Sequence, residues 1–178
     1  NKDLLFIFSL IFPEFKYLKR LSNFKNLKKF FNTSNLLILS ILLVDEGNNH
    51  EYFSHKYKVS KKIKDNLVLL SQGYKNIKNE KDFFKGKIKS NIYMYGAQNF
   101  KTLYCLHLLE KKNYNTEEIN FINKIEKISI PKFPYDGSFL LKKGIKEGKN
   151  IGIILKEAEK YWFDNNFNLS LQDLDIIL

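Results

Sequence analysis

The residues best able to do chemistry in this chain are three histidines and one cysteine, and their spacing argues against a reactive centre. His50 and His55 are accompanied by no cysteine and by no second carboxylate–histidine pair at the spacing of metal ligands. Cys105 and His107 are two residues apart, which places their side chains on different faces of a helix. We therefore predict a buried thiol at Cys105, a core histidine at His107 and no metal site.

The arrangement of the carboxylates along the sequence also does not indicate a catalytic centre. Asp45 and Glu46 follow an apolar run, and Glu117 and Glu118 follow Thr116 as in the first turn of a capped helix. Neither pair is accompanied by groups that would support acid–base catalysis. The sequence contains neither a P-loop nor a Gly-x-Gly-x-x-Gly motif. We predict no catalytic residue and no cofactor for this chain.

A glycine- and lysine-rich stretch, residues 133–162, is the segment best suited to bind an anion. Gly144 and Gly148 bracket a loop that leads into a helix N-terminus, where N–H groups and the helix dipole favour phosphate. One face of that helix carries three lysines: Lys149, Lys156 and Lys160. Another face carries an apolar stripe: Ile151, Ile154, Leu155, Ala158 and Trp162. Gly152 adjoins the stripe and is expected to allow close packing. The alternative is that the glycines only form a tight turn between two helices.

The charge balance of the whole chain points to an anionic partner. Thirty Lys and Arg residues oppose 19 Asp and Glu residues, which gives a formal charge of +11. Nucleic acid is the first candidate and a membrane surface the second. The alternative is a lysine-rich surface that reflects an AT-rich genome, because Arg20 is the only arginine.

Cysteine usage and hydropathy limit the cellular compartments in which this protein is expected. A single cysteine excludes an internal disulfide framework and favours a reducing compartment, so we predict a cytoplasmic protein. The longest apolar runs, residues 4–12 and 36–44, are about half the roughly 20 residues of a membrane-spanning helix. We expect no membrane partner, and we expect further residues upstream because the chain begins with Asn inside an apolar run.

Helical spacing recurs along the chain and strand-like alternation does not, so we predict an all-α fold with no sheet. The body should be an irregular helical bundle over residues 1–129, and a small helical tail should occupy residues 130–178. Ser60, Thr116 and Ser170 are the predicted caps, the last with Asp173 in a capping-box spacing. Residues 46–56 are predicted to be a polar connection. The predicted helices cover residues 2–11, 14–31, 34–44, 60–72, 80–95, 97–112, 116–128, 149–164 and 170–177.

The stretch at 133–162 resembles the C-terminal pattern of bacterial-type (class II) tRNA nucleotidyltransferases, the CCA-adding enzymes, and of poly(A) polymerases, particularly alphaproteobacterial members. The pattern is carried by Phe133-Pro134-Tyr135-Asp136-Gly137, Leu140, Gly144-Ile145, Gly148, Ile151-Gly152, Leu155 and Trp162. Weaker similarity extends upstream: Phe12-Pro13-Glu14, residues 36–43, Val59-Ser60 and Ile92 to Gly96. The resemblance implies the helical body and tail of such an enzyme.

Departures from the family pattern affect both a cap and the catalytic motifs. Phe139 stands where the family has an aspartate that would cap the next helix, and Ser138 is expected to replace it. The family's head domain uses a Gly-Ser motif followed closely by Asp-x-Asp to hold Mg²⁺ for CTP or ATP. Gly137-Ser138 and Asp173-Leu174-Asp175 are too far apart for that role. The neck's nucleotide-selecting motif is also absent, so we expect this chain alone to be inactive.

Charge, helix spacing and the resemblance together imply a non-catalytic RNA-binding region that positions tRNA, or another structured RNA, for 3′-end addition by a separate head domain. The implied RNA contacts are Lys142, Lys143, Lys146, Gly148, Lys149, Lys156 and Lys160, with Lys132 as a weaker candidate. One alternative is a helical docking module for a separate catalytic subunit, which would show an exposed apolar patch at residues 4–12. Another is a folded but inactive remnant of a truncated gene.

Overall fold

The computed structural model describes residues 2–111, 113–145 and 148–177, and this part of the chain is all-α, as predicted. The described ranges contain helices joined by turns and loops, with no strand. In order the α-helices are α1 (Lys2–Ile11), α2 (Leu18–Leu27), α3 (Asn35–Leu43), α4 (Asn49–Lys56), α5 (Lys61–Asn79), α6 (Ile88–Tyr95), α7 (Ala97–Glu110), α8 (Thr116–Ile125), α9 (Gly137–Lys142), α10 (Lys149–Asp164) and α11 (Leu171–Ile177). No helix in those ranges is long and apolar enough to cross a membrane.

The chain forms two compact units: the N-terminal unit, residues 1–128, and the C-terminal unit, residues 129–178. In the N-terminal unit α7 is the central helix, as its sequence predicts, and it contacts α2, α3, α5, α6 and α8. Phe100, Leu103 and Leu106 are fully buried along it. Cys105 is also fully buried, which confirms the predicted buried thiol, and burial raises the pKa of that thiol.

A buried polar network around Arg20 joins α2 to α3, α5 and α7. The Arg20 guanidinium donates to the Val44 carbonyl at 2.7 Å and to Glu110 Oε1 at 3.0 Å. It also donates to the Tyr74 hydroxyl at 2.9 Å, and that hydroxyl in turn donates to Glu110. Burial raises the pKa of Glu110, and the adjacent Arg20 opposes that rise. Arg20 therefore serves the structure of the core.

The C-terminal unit is held together by aromatic packing. Trp162 is buried on α10, with ring centroids 5.5 Å from Phe133 and 4.9 Å from Phe167. Leu140 of α9 and Leu174 of α11 are fully buried. The helix α10 contacts both α9 and α11, so this unit has a small core of its own.

Several helix boundaries differ from the predictions, and two of the differences coincide with a tertiary contact. The helix predicted from residue 14 begins at Leu18, because the Glu14 carbonyl accepts a hydrogen bond from Asn49 Nδ2 at 2.7 Å. The helix predicted to end at residue 72 continues to Asn79, because Gly73 packs inside it. The helix predicted from residue 80 begins at Ile88, after turns at residues 81–86. The helix predicted to reach residue 128 ends at Ile125.

Two short helices and one cap were also predicted wrongly. The predicted connection at 46–56 contains α4, whose polar residues Asn49 and His50 are buried. The helix α9 was not predicted. The N-cap of α8 is Asn115 rather than Thr116, and Asn115 forms a capping box with Glu118. The predicted cap at Ser60 is confirmed. The predicted pair of Ser170 and Asp173 is also confirmed. The Asp173 N–H donates to Ser170 Oγ at 3.1 Å, and the Ser170 N–H donates to Asp173 Oδ2 at 3.0 Å.

Candidate nucleic-acid interface

Gly144 ends helix α9 in a Schellman motif. Its N–H donates to the Leu141 carbonyl at 3.0 Å, and the Ile145 N–H donates to the Leu140 carbonyl at 3.2 Å. Gly144 has a φ of 88°, a left-handed conformation that glycine adopts without the strain a Cβ would add. Lys142 and Lys143 lie just before it and are exposed. The motif therefore places the two lysines at the C-terminal end of a helix, where cations are favoured.

Gly148 is the N-cap of α10, with φ 147° and ψ −171°. It is exposed, and a Cβ built there would meet no atom within 4 Å. The backbone angles at this position therefore favour glycine, whereas close packing does not require it. Gly148 has no side chain to accept a hydrogen bond at this cap, and its carbonyl accepts from the Ile151 N–H at 3.2 Å.

In the described residues, helix α10 separates the predicted apolar stripe from Lys156 and Lys160. Ala158 and Trp162 of the apolar stripe are buried, and Ile151, Ile154 and Leu155 are half-buried. Lys156 and Lys160 are exposed, one turn apart, with exposed Ile153 one turn before Lys156. Gly152 does not have the predicted packing role, because it is exposed and nothing lies within 4 Å of a Cβ built on it.

Part of the predicted RNA-contact set lies outside the described residues. Lys146 is among the residues that the structure does not describe, and so is the side chain of Lys149. The weaker candidate, Lys132, is exposed in the segment before α9. The described members of the set therefore fall at the end of α9, at the start of α10 and along α10.

The Gly-Ser sequence and Asp173 of the Asp-x-Asp sequence have structural roles at helix ends. Gly137 and Ser138 open α9, and Asp136 is its N-cap, accepting from the Phe139 N–H at 2.9 Å. The predicted replacement cap at Ser138 is therefore wrong. Asp173 accepts from the Ser170 hydroxyl at 2.6 Å, and its pKa is lowered by its hydrogen bonds with the Ser170 side chain and backbone. Among the described residues no three His, Cys, Asp or Glu side chains form a group that could hold a metal ion.

The net charge of the chain resides in the N-terminal unit. Residues 129–178 contain seven lysines and seven carboxylates, so their formal charge is zero. The N-terminal unit therefore carries the whole formal charge of +11. A phosphate backbone is attracted by net positive charge, so the lysine pattern of the C-terminal unit cannot be the only candidate surface.

Sequence reasoning missed a basic segment in the N-terminal unit. Residues 15–44, here called the acid-free segment, contain six basic residues and no Asp or Glu. Five of those six are exposed: Lys16, Lys19, Lys25, Lys28 and Lys29. Lys25, Lys28 and Lys29 follow one another at spacings typical of one helical face, and Lys29 Nζ lies 4.9 Å from the Phe30 ring centroid. The gap between Glu14 and Asp45 was the signal that could have identified this surface.

The chain shows local similarity to one curated protein. It is 34% identical over 67 residues to the mitochondrial CCA tRNA nucleotidyltransferase 1 of Danio rerio. The alignment covers 38% of this chain and 15% of that protein. No protein-family model matches the chain, and no solved structure matches it. The similarity supports a tRNA nucleotidyltransferase-like relationship for part of the chain, and it does not test the bacterial-type or alphaproteobacterial resemblance.

Proposed function

We propose that this chain is a non-catalytic tRNA-binding region, which holds tRNA or another structured RNA while a separate head domain adds nucleotides to the 3′ end. The observation that carries the proposal is the similarity to a CCA tRNA nucleotidyltransferase. The formal charge of +11 supports it, because RNA backbones attract basic surfaces.

The binding would come from lysine–phosphate contacts on two surfaces. The first is the lysine set of the C-terminal unit, at the end of α9 and along α10. The second is the acid-free segment, where five exposed lysines have no carboxylate neighbour in sequence. Contacts of this type position a structured RNA by its shape and backbone and read little base sequence.

The finer assignments belong to the same proposal. The N-terminal unit would correspond to the body and the C-terminal unit to the tail of a bacterial-type enzyme, with Mg²⁺ and CTP or ATP bound by a head domain outside this chain. The reaction served would be CCA addition or polyadenylation. The cytoplasm remains our prediction for its location, from the single cysteine.

The test compares three double charge reversals that change the net charge equally. They are Lys25→Glu/Lys28→Glu in the acid-free segment, Lys156→Glu/Lys160→Glu on α10, and Lys124→Glu/Lys127→Glu as the control. All six lysines are exposed. We measure tRNA affinity by fluorescence anisotropy over a range of salt concentrations, where each lost phosphate contact reduces the salt slope by about 0.7–0.9.

The proposal predicts that the first two double variants weaken binding and reduce the slope more than the control does. Equal effects from all three pairs would mean that only net charge matters. The assignment of these two surfaces as tRNA contacts would then be rejected. No measurable tRNA binding by the unmodified chain would reject the proposal itself.

A docking role is a second candidate, and one observation favours it. Helix α1 exposes a row of large apolar residues in the predicted region 4–12: Phe6, Ile7, Leu10 and Ile11, with exposed fractions of 52–65%. A face of this kind on a soluble helix is typical of a protein contact. Phe6→Ser/Leu10→Ser should abolish co-purification with a recombinant nucleotidyltransferase head domain and leave tRNA affinity unchanged. Retained co-purification would exclude this face as the contact.

A further inference from the structure

A cavity of about 600 Å³ lies in the N-terminal unit, between the turns that precede α6 and helices α7 and α8. This volume falls within the roughly 300–1,000 Å³ of small-molecule sites. Its lining includes aromatic side chains from three different parts of the unit: Phe84, Tyr104, His107 and Phe121. Neither the lysine pattern nor the resemblance pointed to it.

The aromatic side chains form one continuous group of rings. The Phe84 ring centroid lies 4.9 Å from that of Tyr104 and 5.1 Å from that of His107. Tyr104 meets Phe121 edge-to-face at 4.9 Å. Tyr104 is buried, whereas Phe84, His107 and Phe121 are only partly covered and line the cavity. The cavity is thus lined by partly exposed aromatic rings that pack around the buried Tyr104.

Charged side chains of both signs surround the rings. Lys81 and Lys85 come from the turns before α6, next to Glu80, and all three are exposed. Glu117 and Glu118 come from α8, and Glu118 is engaged by Lys111 and by the Asn115 N–H. Phosphate is attracted to the lysines and repelled by the carboxylates, so a bound anion would be oriented toward Lys81 and Lys85.

His107 adds a directional polar group. Burial lowers its pKa, and the nearby Lys111 lowers that pKa further, while Glu118 opposes the shift. The lowered pKa favours the neutral imidazole, which has one nitrogen as donor and the other as acceptor. A neutral, partly exposed imidazole beside aromatic rings is suited to a planar ligand with hydrogen-bonding edges.

We propose that this cavity binds an unstacked nucleobase of a structured RNA, with its adjoining phosphates on Lys81 and Lys85. The proposal rests on RNA being the partner, as proposed above. Unstacked bases of single-stranded loops bind proteins by stacking on aromatic or histidine side chains and by hydrogen bonds at their edges. Such stacking tolerates many sequences, because every base has a π-face.

The test uses the full chain and two RNA probes, a stem-loop with unpaired adenosines and the same stem-loop with abasic loop residues. The unmodified chain should bind the abasic probe about tenfold more weakly, the effect of one lost stacking contact. Phe84→Leu should reduce that ratio toward one and leave the salt slope unchanged. Phe121→Leu tests the same rings if Phe84→Leu fails to fold by circular dichroism. Phe6→Leu, an exposed aromatic on α1, is the matched control and should keep the tenfold ratio.

Each outcome separates this proposal from the proposed function. Equal binding of both probes by the unmodified chain, with a normal salt slope, would overturn the cavity proposal and leave tRNA binding intact. If neither probe binds, the proposed function fails, and adenosine monophosphate is then titrated against the full chain by NMR. Shifts of the Phe84 and His107 ring signals would keep the cavity as a nucleobase site. Unshifted signals would overturn it.

Discussion

The two units use their polar residues in opposite ways. The N-terminal unit carries the whole net charge and also buries charged groups, among them Glu14, Arg20 and Lys101. In the described part of the C-terminal unit the buried residues are apolar: Leu140, Ala158, Trp162 and Leu174. Three of its four glycines, Gly137, Gly144 and Gly148, lie at helix ends, as do its caps. A glycine–lysine pattern is therefore evidence for helix boundaries first, and its role in binding RNA needs a separate test.

The largest expected effect comes from breaking the buried network of the N-terminal unit. Arg20→Ala would leave Glu110 without its arginine partner and the Val44 carbonyl without its donor. Glu110 is partly exposed and keeps its ion pair with Lys78, so the loss comes from the buried groups that bonded Arg20, at about 1–3 kcal/mol of the free energy of unfolding for each group left without its donor. Lys19→Ala, the exposed neighbour, is the control and should change stability by less than about 0.5 kcal/mol.

Chemical denaturation followed by circular dichroism measures both variants. A loss below about 1 kcal/mol for Arg20→Ala would show that the network is too exposed to water to stabilise the unit. The N-terminal unit would then resemble the C-terminal unit, with stability supplied by apolar packing alone.

The same substitution at two helical glycines should have opposite effects in the two units. A Cβ at Gly73 of α5 would lie 2.5 Å from Leu103 Cδ1, a fully buried side chain of α7, so Gly73→Ala should cost about 1–3 kcal/mol. A Cβ at Gly152 of α10 would meet nothing within 4 Å. Gly152→Ala should therefore stabilise by up to about 1 kcal/mol through helix propensity.

Thermal and chemical denaturation of the two variants provide the measurement. Each variant is the control for the other, because the chemical change is identical. A destabilising Gly152→Ala would restore the predicted packing role of that glycine. A neutral Gly73→Ala would mean that α5 and α7 can separate without cost.

Mildly acidic pH should destabilise the N-terminal unit, since all three histidines lie there. Burial lowers the pKa of His50 below its usual 6.5, with Lys75 adding to this effect and Glu51 and Asp45 opposing it. Its Nδ1 is buried with no hydrogen-bond partner among the described residues. The unfolded chain therefore binds the proton more readily than the folded chain does. The free energy of unfolding should be highest above pH 6.5 and should fall as the pH drops below that value.

Denaturation midpoints at pH 7.5 and 5.5 test this expectation. Circular dichroism follows the helices of the whole chain, and the fluorescence of Trp162, the only tryptophan, follows the C-terminal unit. His50→Leu should reduce the difference between the two midpoints seen by circular dichroism. An unchanged difference would mean that another group, such as His107, accounts for the acid sensitivity.

The sequence predicted those parts of the fold that depend on local pattern. The all-α class, the central helix α7, the apolar stripe of α10 and the cap at Ser60 all follow from spacing or from a single side chain next to a helix start. Helix α4 could not be predicted in this way, because its polar residues are buried by contacts with distant groups such as the Glu14 carbonyl. The helix predicted over residues 60–72 stopped short of Gly73, whose packing against Leu103 is a tertiary contact.

The candidate sites show the same division. The lysine face of α10 was predicted from helical spacing, and two of its lysines, Lys156 and Lys160, are exposed together. The aromatic cavity was not predicted, because Phe84, Tyr104 and Phe121 are distant in sequence and meet only in the folded N-terminal unit. The acid-free segment could have been predicted from the sequence. The net charge of the whole chain does not show it, because that sum carries no information on how charges are distributed along the chain.

The smallest expected effect concerns Gly144, at the end of helix α9 in the C-terminal unit. Gly144→Ala places a Cβ at a φ of 88°, which should cost about 1 kcal/mol of the free energy of unfolding. Gly144→Asn should cost less, since asparagine tolerates left-handed angles better than alanine. Both losses are measured by denaturing the protein and following the fluorescence of Trp162. If Gly144→Ala weakened tRNA binding while stability stayed unchanged, the loop itself would contact phosphate, and the motif would do more than end a helix.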